Sequence, residues 1–154
     1  QPWPAPQPLS GAANPGSNDW GVTPSPDLMS AFLCRIPSGQ SDIYEASADF
    51  VGWVISEPTL VMELSSPGED CSVSLSQSRR EIFLETTRSA ATFGWNLFVA
   101  TRENPAYPWQ APVEVAELNS NADDQDPWLS PDRRTLYFAS SRSGNSELYV
   151  ATRR

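Results

Sequence analysis

The sequence of 154 residues contains no histidine and no lysine, and it has only two cysteines. Without histidine there is no Ser-His-Asp or Cys-His catalytic set and no imidazole ligand for zinc, because those sites need a group that titrates near neutral pH or a neutral nitrogen donor. Cys34 and Cys71 allow one disulfide at most and cannot build a zinc site from thiolates alone. We therefore expect a protein that is not an enzyme.

Positive charge is scarce as well. Ten arginines stand against 19 acidic residues, which gives a formal net charge of −9. Because nucleic acids and anionic lipids attract cationic surfaces, we expect no nucleic-acid partner. No apolar run approaches the roughly 18 residues of a membrane-spanning helix, so we expect no membrane insertion. The first residue is Gln1, and we expect that a segment before it was trimmed, by a signal peptidase or in preparing the chain.

Turn-forming residues and apolar residues are both plentiful. The chain has 15 prolines, 8 glycines and 39% hydrophobic residues. This balance favours short strands joined by turns around a buried core, rather than long helices or global disorder. The composition therefore predicts an all-β fold.

Three segments of the sequence align with one another. Ser25, Ser76 and Ser130 fall in register, 51 and 54 residues apart, and each is followed by an apolar run. A tryptophan and then a proline precede each segment at the same period of about fifty residues. The alignment predicts one domain of three repeats, 1–49, 50–104 and 105–154. The tryptophan and proline landmarks are Trp3/Pro6, Trp53/Pro58 and Trp109/Pro112.

Each repeat contains four short apolar runs separated by Gly, Pro, Asn, Asp and Ser, which are typical of strands and turns. The last two runs of the third repeat, around Leu136–Ala139 and Leu148–Ala151, are almost continuously apolar, which predicts strands covered on both faces. A repeated four-stranded sheet of this kind is what a β-propeller blade requires. An immunoglobulin-like sandwich is the alternative, but it gives no reason for the register. The predicted strands of the third repeat are Pro112–Leu118, Asp126–Ser130, Thr135–Ser141 and Glu147–Thr152.

The third repeat resembles the TolB-like propeller, or PD40, repeat. The matching residues are Asp124–Asp132, Leu136–Phe138, Ser140–Gly144 and Leu148–Val150. The resemblance implies an all-β propeller with three four-stranded blades in this chain. Three blades are half of a six-bladed ring or a fragment of a larger propeller, because a closed ring needs about four to eight. Two departures stand out: the glycine of the family turn is replaced by Leu28, Arg79 and Arg133, and Pro37 stands where Arg88 and Arg142 stand in the other repeats.

The resemblance also implies a function. It predicts a non-enzymatic scaffold, periplasmic or secreted, that binds a protein, peptide or glycan at its rim or central channel. The alternative is the propeller portion of a larger enzyme, such as the gating domain of a prolyl-oligopeptidase-like peptidase whose catalytic domain lies elsewhere. Ser25 and Ser130 belong to Ser-Pro-Asp turns, and with no base available neither is expected to act as a nucleophile.

Charge placement indicates a ligand site. In the family's strand order, acidic loops gather on one rim and Arg-Arg turns on the other, so we expect cationic ligands at the acidic rim. We expect no cofactor; calcium is the only metal that the acidic loops suggest, and their spacing is not that of a known calcium loop. Arg88 and Arg142 either grip a ligand anion at the edge of this site or tie the blades together. The predicted ligand-binding residues are Asp19, Glu69, Asp70, Asp123, Asp124, Asp126, Arg88 and Arg142.

Two further predictions concern covalent and subunit links. Cys34 and Cys71 approach the same rim in adjacent repeats and either form a disulfide or remain buried thiols. The repeat order leaves an unpaired strand at each end, so we expect a head-to-tail homodimer that completes a six-bladed ring. In that dimer, Gln1–Leu9 of one chain would pair with Glu147–Thr152 of its partner.

Overall fold

The computed structural model describes residues 5, 10–11, 18–37, 39–50, 52, 54–90 and 94–153. These residues form thirteen strands in three sheets and no helix. The predicted pairing segment Gln1–Leu9 lies, apart from Ala5, outside the described residues, and so do Trp3 and Trp53. The all-β prediction is confirmed for the part of the chain that the structure describes.

The first sheet has six strands. Its order is β1-β5-β4-β3-β2, with β6 also paired to β4, and every pairing is antiparallel except that of β1 with β5. The strands are β1 (Ser10–Gly11), β2 (Asn18–Pro24), β3 (Ser30–Ile36), β4 (Asp42–Asp49), β5 (Val54–Ile55) and β6 (Thr59–Leu60).

The second and third sheets repeat the antiparallel order of β2, β3 and β4. The second sheet is β7 (Asp70–Leu75), β8 (Glu81–Thr86), β9 (Asn96–Thr101) and β10 (Val113–Glu114), with β10 at the β9 edge. The third is β11 (Asp124–Leu129), β12 (Thr135–Ser140) and β13 (Glu147–Thr152). The short strand that opens a sequence repeat therefore joins the sheet of the preceding repeat.

The turns that follow β2, β7 and β11 place a residue other than glycine in a left-handed backbone conformation. The residue in the glycine position has a positive φ in each repeat: 58° at Leu28, 55° at Arg79 and 62° at Arg133. The turn is closed by its first side chain, because Ser25 Oγ donates to Asp27 Oδ1 at 2.6 Å and accepts from the Ser30 N–H. These local bonds oppose the cost of a left-handed backbone at a residue with a side chain.

The hydrophobic core lies between successive sheets. One cluster joins the first and second sheets through Phe32, Ile43, Leu84 and Phe98. A second cluster joins the second and third sheets. The middle strand of the second sheet, β8, is buried along its whole length, as a strand covered on both faces must be. The second cluster is built from Phe83, Leu97, Val115, Leu129, Leu136 and Phe138.

The third sheet corrects one prediction. Leu136 and Phe138 are buried against the second sheet, but Leu148 and Val150 are exposed. The prediction that both faces of these strands are covered is wrong for one face, because no described residue packs against it.

The possible disulfide is present. Cys34 on β3 and Cys71 on β7 are bonded, with their Cα atoms 4.9 Å apart. The bond therefore cross-links the first sheet to the second at the start of β7.

Candidate functional site

The edge strands β2, β7 and β11, one in each sheet, are interrupted at the same position. The register of β2 shifts between Trp20 and Val22, that of β7 between Cys71 and Val73, and that of β11 between Gln125 and Trp128. The extra residues are Gly21, Ser72 and Asp126, which are equivalent in the sequence repeats. Bulges of this kind re-aim side chains and are common next to functional sites.

The three bulges surround a cavity of about 270 Å³, called here the bulge cavity. Its apolar walls include the Cys34–Cys71 bond, and Trp20 and Trp128 are both more than half exposed on its lining. Asp126 contributes an exposed carboxylate to the same lining. A cavity with two accessible indole faces and one carboxylate suits a ligand with a flat apolar surface and a donor or cationic group. The described lining residues are Trp20–Thr23, Phe32–Cys34, Ile43, Cys71–Val73 and Asp126–Trp128.

Asp126 is held by its neighbours in an unusual backbone conformation. Its φ is +52°, and its N–H donates to Glu85 Oε2 on β8 at 2.7 Å. The Ser72 hydroxyl donates to Asp126 Oδ1 at 3.1 Å. Two side chains of the second sheet, Glu85 and Ser72, thus hold the backbone and the carboxylate of Asp126 in place.

Glu85, close to the cavity, is an acid whose pKa is strongly shifted by the fold. Its side chain is buried, and burial raises the pKa of Glu85 to about 7. Hydrogen bonds from the Asp126 N–H and from Ser72 lower that pKa, while the negative charge of Asp126 adds to the rise. Glu85 was not predicted from the sequence and no motif marks it, because Cys34 and Ala139 occupy the equivalent positions in the other repeats.

Two of the predicted acidic residues serve the fold instead of the surface. Asp70 and Asp124 are both 0% exposed. Arg88 Nη2 lies 2.6 Å from Asp70 Oδ1, and Arg142 Nη2 lies 2.6 Å from Asp124 Oδ1. Each guanidinium also donates to a backbone carbonyl, that of Leu64 or Leu118. Arg88 and Arg142 therefore tie the corners of their own sheets, and the two buried carboxylates present no surface to a ligand.

The pKa of Asp124 is consistent with an ionised buried group. Burial by itself would raise this pKa, but hydrogen bonds from Ser140, Arg142 and Ser120 lower it below the ordinary value. The Ser120 N–H and hydroxyl donate to Asp124 Oδ2 at 2.6 and 2.9 Å. The carboxylate is thus fully satisfied by donors.

The first sheet reaches the same ion pair by another route. Asp19 is equivalent to Asp70 and Asp124, and its Oδ1 lies 2.6 Å from Arg35 Nε. Arg35 lies two residues before Pro37, which stands where Arg88 and Arg142 stand in the other two repeats. The first sheet therefore keeps an arginine–aspartate ion pair, although Pro37 stands in the position that holds arginine in the other repeats.

The remaining predicted acids are also engaged with backbone or side-chain donors. Glu69 Oε2 accepts the Ser41 hydroxyl at 2.5 Å and the Ser41 N–H at 2.9 Å. Asp123 Oδ1 accepts the Trp95 N–H at 3.0 Å. Of the six acids, Asp126 is the one that lines the bulge cavity, and the ligand-binding role of the set stays a prediction.

Arg102 and Arg153 make equivalent contacts that were not predicted from the sequence. Arg102 Nε donates to the carbonyl of Arg79 at 2.7 Å, and Arg153 Nε donates to that of Arg133 at 2.6 Å. Arg153 also contacts Glu81 at 2.7 Å, which links the third sheet to the second. The signal was the repeated Val-Ala-Thr-Arg at the end of the second and third repeats.

Two other kinds of site are absent from the described residues. No group of three or more His, Cys, Asp or Glu side chains among them is placed to hold a metal ion. Within the same described part of the chain, no helix has the length and apolar character needed to span a membrane.

Comparison with known proteins identifies the fold. No family model and no curated protein matches the chain. A solved structure from Agrobacterium tumefaciens, described as "putative TolB", is similar to it with a TM-score of 0.58 and 19% sequence identity. The similarity covers 88% of this chain and 43% of that one, so this chain spans less than half of its structural neighbour. The chain has a TolB-like β-propeller type of fold.

Proposed function

We propose that this protein is a non-enzymatic propeller scaffold that binds a protein, peptide or glycan at the bulge cavity. In this proposal its three sheets are three blades, half of a six-bladed ring or part of a larger propeller. The observation that carries the proposal is the convergence of Trp20, Trp128 and Asp126 on one cavity. The TolB-like fold supports it, since the first strands of propeller blades line the central channel.

The chemistry of the cavity favours a ligand segment that carries a positive charge. The exposed indoles offer stacking faces to an aliphatic or sugar surface, and a cation over an indole gains further attraction. The Asp126 carboxylate supplies a charge-assisted acceptor, and the net charge of −9 attracts cations from a distance. Among the three ligand classes, a peptide with an exposed lysine or arginine fits best.

The disulfide supports a periplasmic or secreted location. Disulfide bonds persist in oxidising compartments and are rare in the cytosol. The Cys34–Cys71 bond cross-links two sheets of the structure, so the folded chain suits an extracytoplasmic address.

A binding experiment tests the proposal directly. A library of short peptides that carry lysine or arginine, together with a glycan array, is screened against the wild-type chain and against Asp126→Asn. Asparagine tolerates a positive φ, so this variant removes the charge with little backbone penalty. We expect peptide binding that weakens about tenfold in Asp126→Asn and weakens with added salt.

The matched control is Glu103→Gln. Glu103 is an exposed acid that follows β9 at the end of the second sheet opposite to the start of β7. It carries the same charge away from the cavity, so Glu103→Gln should bind like the wild type. Equal loss in both variants, or no binding by the wild type, would contradict the proposal. Cleavage of bound peptides by the chain itself would contradict the non-enzymatic part of the proposal; the alternative, a gating portion of a larger enzyme, requires a catalytic domain outside this chain.

A further inference from the structure

A second cavity, of about 210 Å³, lies between the second and third sheets and is called here the intersheet cavity. Its apolar walls come from the cluster that joins these two sheets. Charged side chains stand beside those walls, and among them Arg153 follows β13, the last strand of the third sheet. The cavity is separate from the bulge cavity, because no described residue lines both. Its apolar walls include Phe83, Val115, Leu118, Leu129, Leu136 and Ala151.

The equivalent place between the first and second sheets is filled by a tryptophan. Trp109 is 5% exposed and belongs to the cluster that joins those sheets. The guanidinium carbon of Arg102 lies 4.0 Å from the centre of its ring, a contact in which the cation and the ring attract each other. By the alignment of the sequence repeats, each of the six wall residues named for the intersheet cavity has an equivalent in the Trp109 cluster. These equivalents are Phe32, Val61, Leu64, Leu75, Ile82 and Ala100.

The arginine over Trp109 also has its equivalent at the intersheet cavity. Arg102 Nε donates to the carbonyl of Arg79 at 2.7 Å, and Arg153 Nε makes the same bond to Arg133 at 2.6 Å. The guanidinium of Arg153 is therefore held beside the cavity, as that of Arg102 is held over the tryptophan. The intersheet cavity thus has the walls and the cation of a tryptophan site, without a tryptophan among its described lining residues.

One other segment of the chain repeats the sequence around Trp109. Pro2-Trp-Pro-Ala-Pro6 matches Pro108-Trp-Gln-Ala-Pro112 at four of five positions. The single difference removes one hydrogen bond, because Pro4 has no N–H to replace that of Gln110, which donates to the Thr101 carbonyl at 2.9 Å. In a site of this kind, the first segment would therefore be held mainly by its tryptophan.

We propose that the intersheet cavity binds Trp3 of a second copy of this chain. The proposal rests on the proposed function, in which the three sheets are half of a six-bladed ring. Trp109 opens the third repeat and lies against the second sheet, the one before its own. Trp3 opens the first repeat, so its equivalent site lies on the sheet that precedes the first. In a ring of two copies, that sheet is the third sheet of the partner.

The segment is long enough to reach that cavity. Ser10–Gly11 lies at one edge of the first sheet, and the seven residues from Trp3 to Leu9 can span about 23 Å when extended. Packed sheets lie about 10 Å apart, so Trp3 can reach a neighbouring sheet. Each chain gives one tryptophan and receives one, so the contact closes after two copies. The pairing predicted from the sequence for Gln1–Leu9 thereby gains an anchor residue and a binding site.

Peptide binding tests the site. A labelled synthetic peptide of residues 1–9 is titrated with the Trp3→Ala chain, which lacks the tryptophan that would compete, and binding is followed by fluorescence anisotropy. We expect saturable binding, and at least about tenfold weaker binding when the peptide itself carries Trp3→Ala, because a buried aromatic anchor dominates such contacts. Adding Ala151→Leu to the chain fills part of the cavity and should also weaken binding at least about tenfold. The control is Ala106→Leu, the same change at an exposed residue outside the described cavity lining.

The oligomeric state tests the second copy. Light scattering after size exclusion, from about 5 to 200 µM, should show the wild-type mass rise towards twice 16.9 kDa. Trp3→Ala should raise the dissociation constant of the dimer at least about tenfold, and excess peptide should return the wild type to the monomer mass. Thermal melts check that each chain variant folds, and the altered peptide needs no such check.

Each of four outcomes would overturn the proposal: no saturable peptide binding, equal binding of the peptide without its tryptophan, binding that Ala151→Leu leaves unchanged, or a wild-type monomer at about 200 µM. The lysine and arginine peptides of the binding screen separate this proposal from the proposed function, because their target is Asp126 on the bulge cavity. If those peptides bind the wild type and lose affinity in Asp126→Asn while the tryptophan peptide fails, only the tryptophan site is wrong.

Discussion

Replacing Glu85 with glutamine should stabilise the protein at neutral and alkaline pH but not at acidic pH. Burial raises the pKa of Glu85 from 4.5 to about 7 in the folded chain. The folded state therefore holds a proton that the unfolded state releases, and wild-type stability falls as the pH rises from 4.5 to about 7. Since one pKa unit corresponds to about 1.4 kcal/mol, the full penalty above pH 7 is about 3 kcal/mol. Glutamine avoids this penalty and keeps an oxygen to accept the Asp126 N–H.

The assay is urea denaturation of the wild type and Glu85→Gln at pH 4, 6 and 8. The difference in unfolding free energy between the two proteins should be near zero at pH 4 and about 3 kcal/mol in favour of the variant at pH 8. Using the difference cancels the titration of all other groups. Glu63→Gln, at an exposed acid, should match the wild type at every pH. A difference that does not vary with pH, or a variant that is less stable at pH 8, would refute the role assigned to burial.

Three other perturbations follow from the structure. Reducing the Cys34–Cys71 bond, which closes a separation of 37 residues, should lower the unfolding free energy by about 4 kcal/mol, as measured by urea denaturation with and without reductant. Asp124→Asn should destabilise the chain by about 3–5 kcal/mol because it leaves the Arg142 guanidinium without its buried counter-charge, and a thermal melt shifted by less than a few degrees would contradict this. Leu84→Ala, at a fully buried position between the first and second sheets, should cost about 2–5 kcal/mol in the same denaturation assay, and a loss below 1 kcal/mol would show that the site collapses around the smaller side chain.

The sequence predicted the parts of this molecule that depend on local pattern. Strand Glu147–Thr152 matches its prediction, because an apolar run bounded by turn residues leaves few alternatives. The predicted strand Pro112–Leu118 shrinks to Val113–Glu114, since only those residues reach β9. Edge-strand length is set by the neighbouring strand, which a single run of residues does not reveal.

The candidate site was harder to predict for a different reason. Loop charges indicated an acidic rim, but charge in a sequence does not reveal whether a carboxylate faces solvent or an arginine. Asp124 and Asp126 are two residues apart, yet the first is buried in an ion pair and the second is exposed on a cavity. This difference in exposure arises at the bulge in β11, and the bulge depends on the pairing of β11 with β12.

The ion pair at the corner of each sheet has a consequence for how such repeats are recognised. In the second and third sheets the arginine follows the middle strand, as Arg88 and Arg142, and its Nε contacts the hydroxyl of Thr86 or Ser140. In the first sheet Arg35 itself stands at the position of that hydroxyl residue and reaches Asp19 from there. The Asp–Arg interaction is kept in all three sheets, but in the first repeat the arginine occupies a different position of the alignment. A search that scores each column separately counts this repeat as having lost its arginine, whereas a search that scores the Asp–Arg contact in space would count all three repeats as alike.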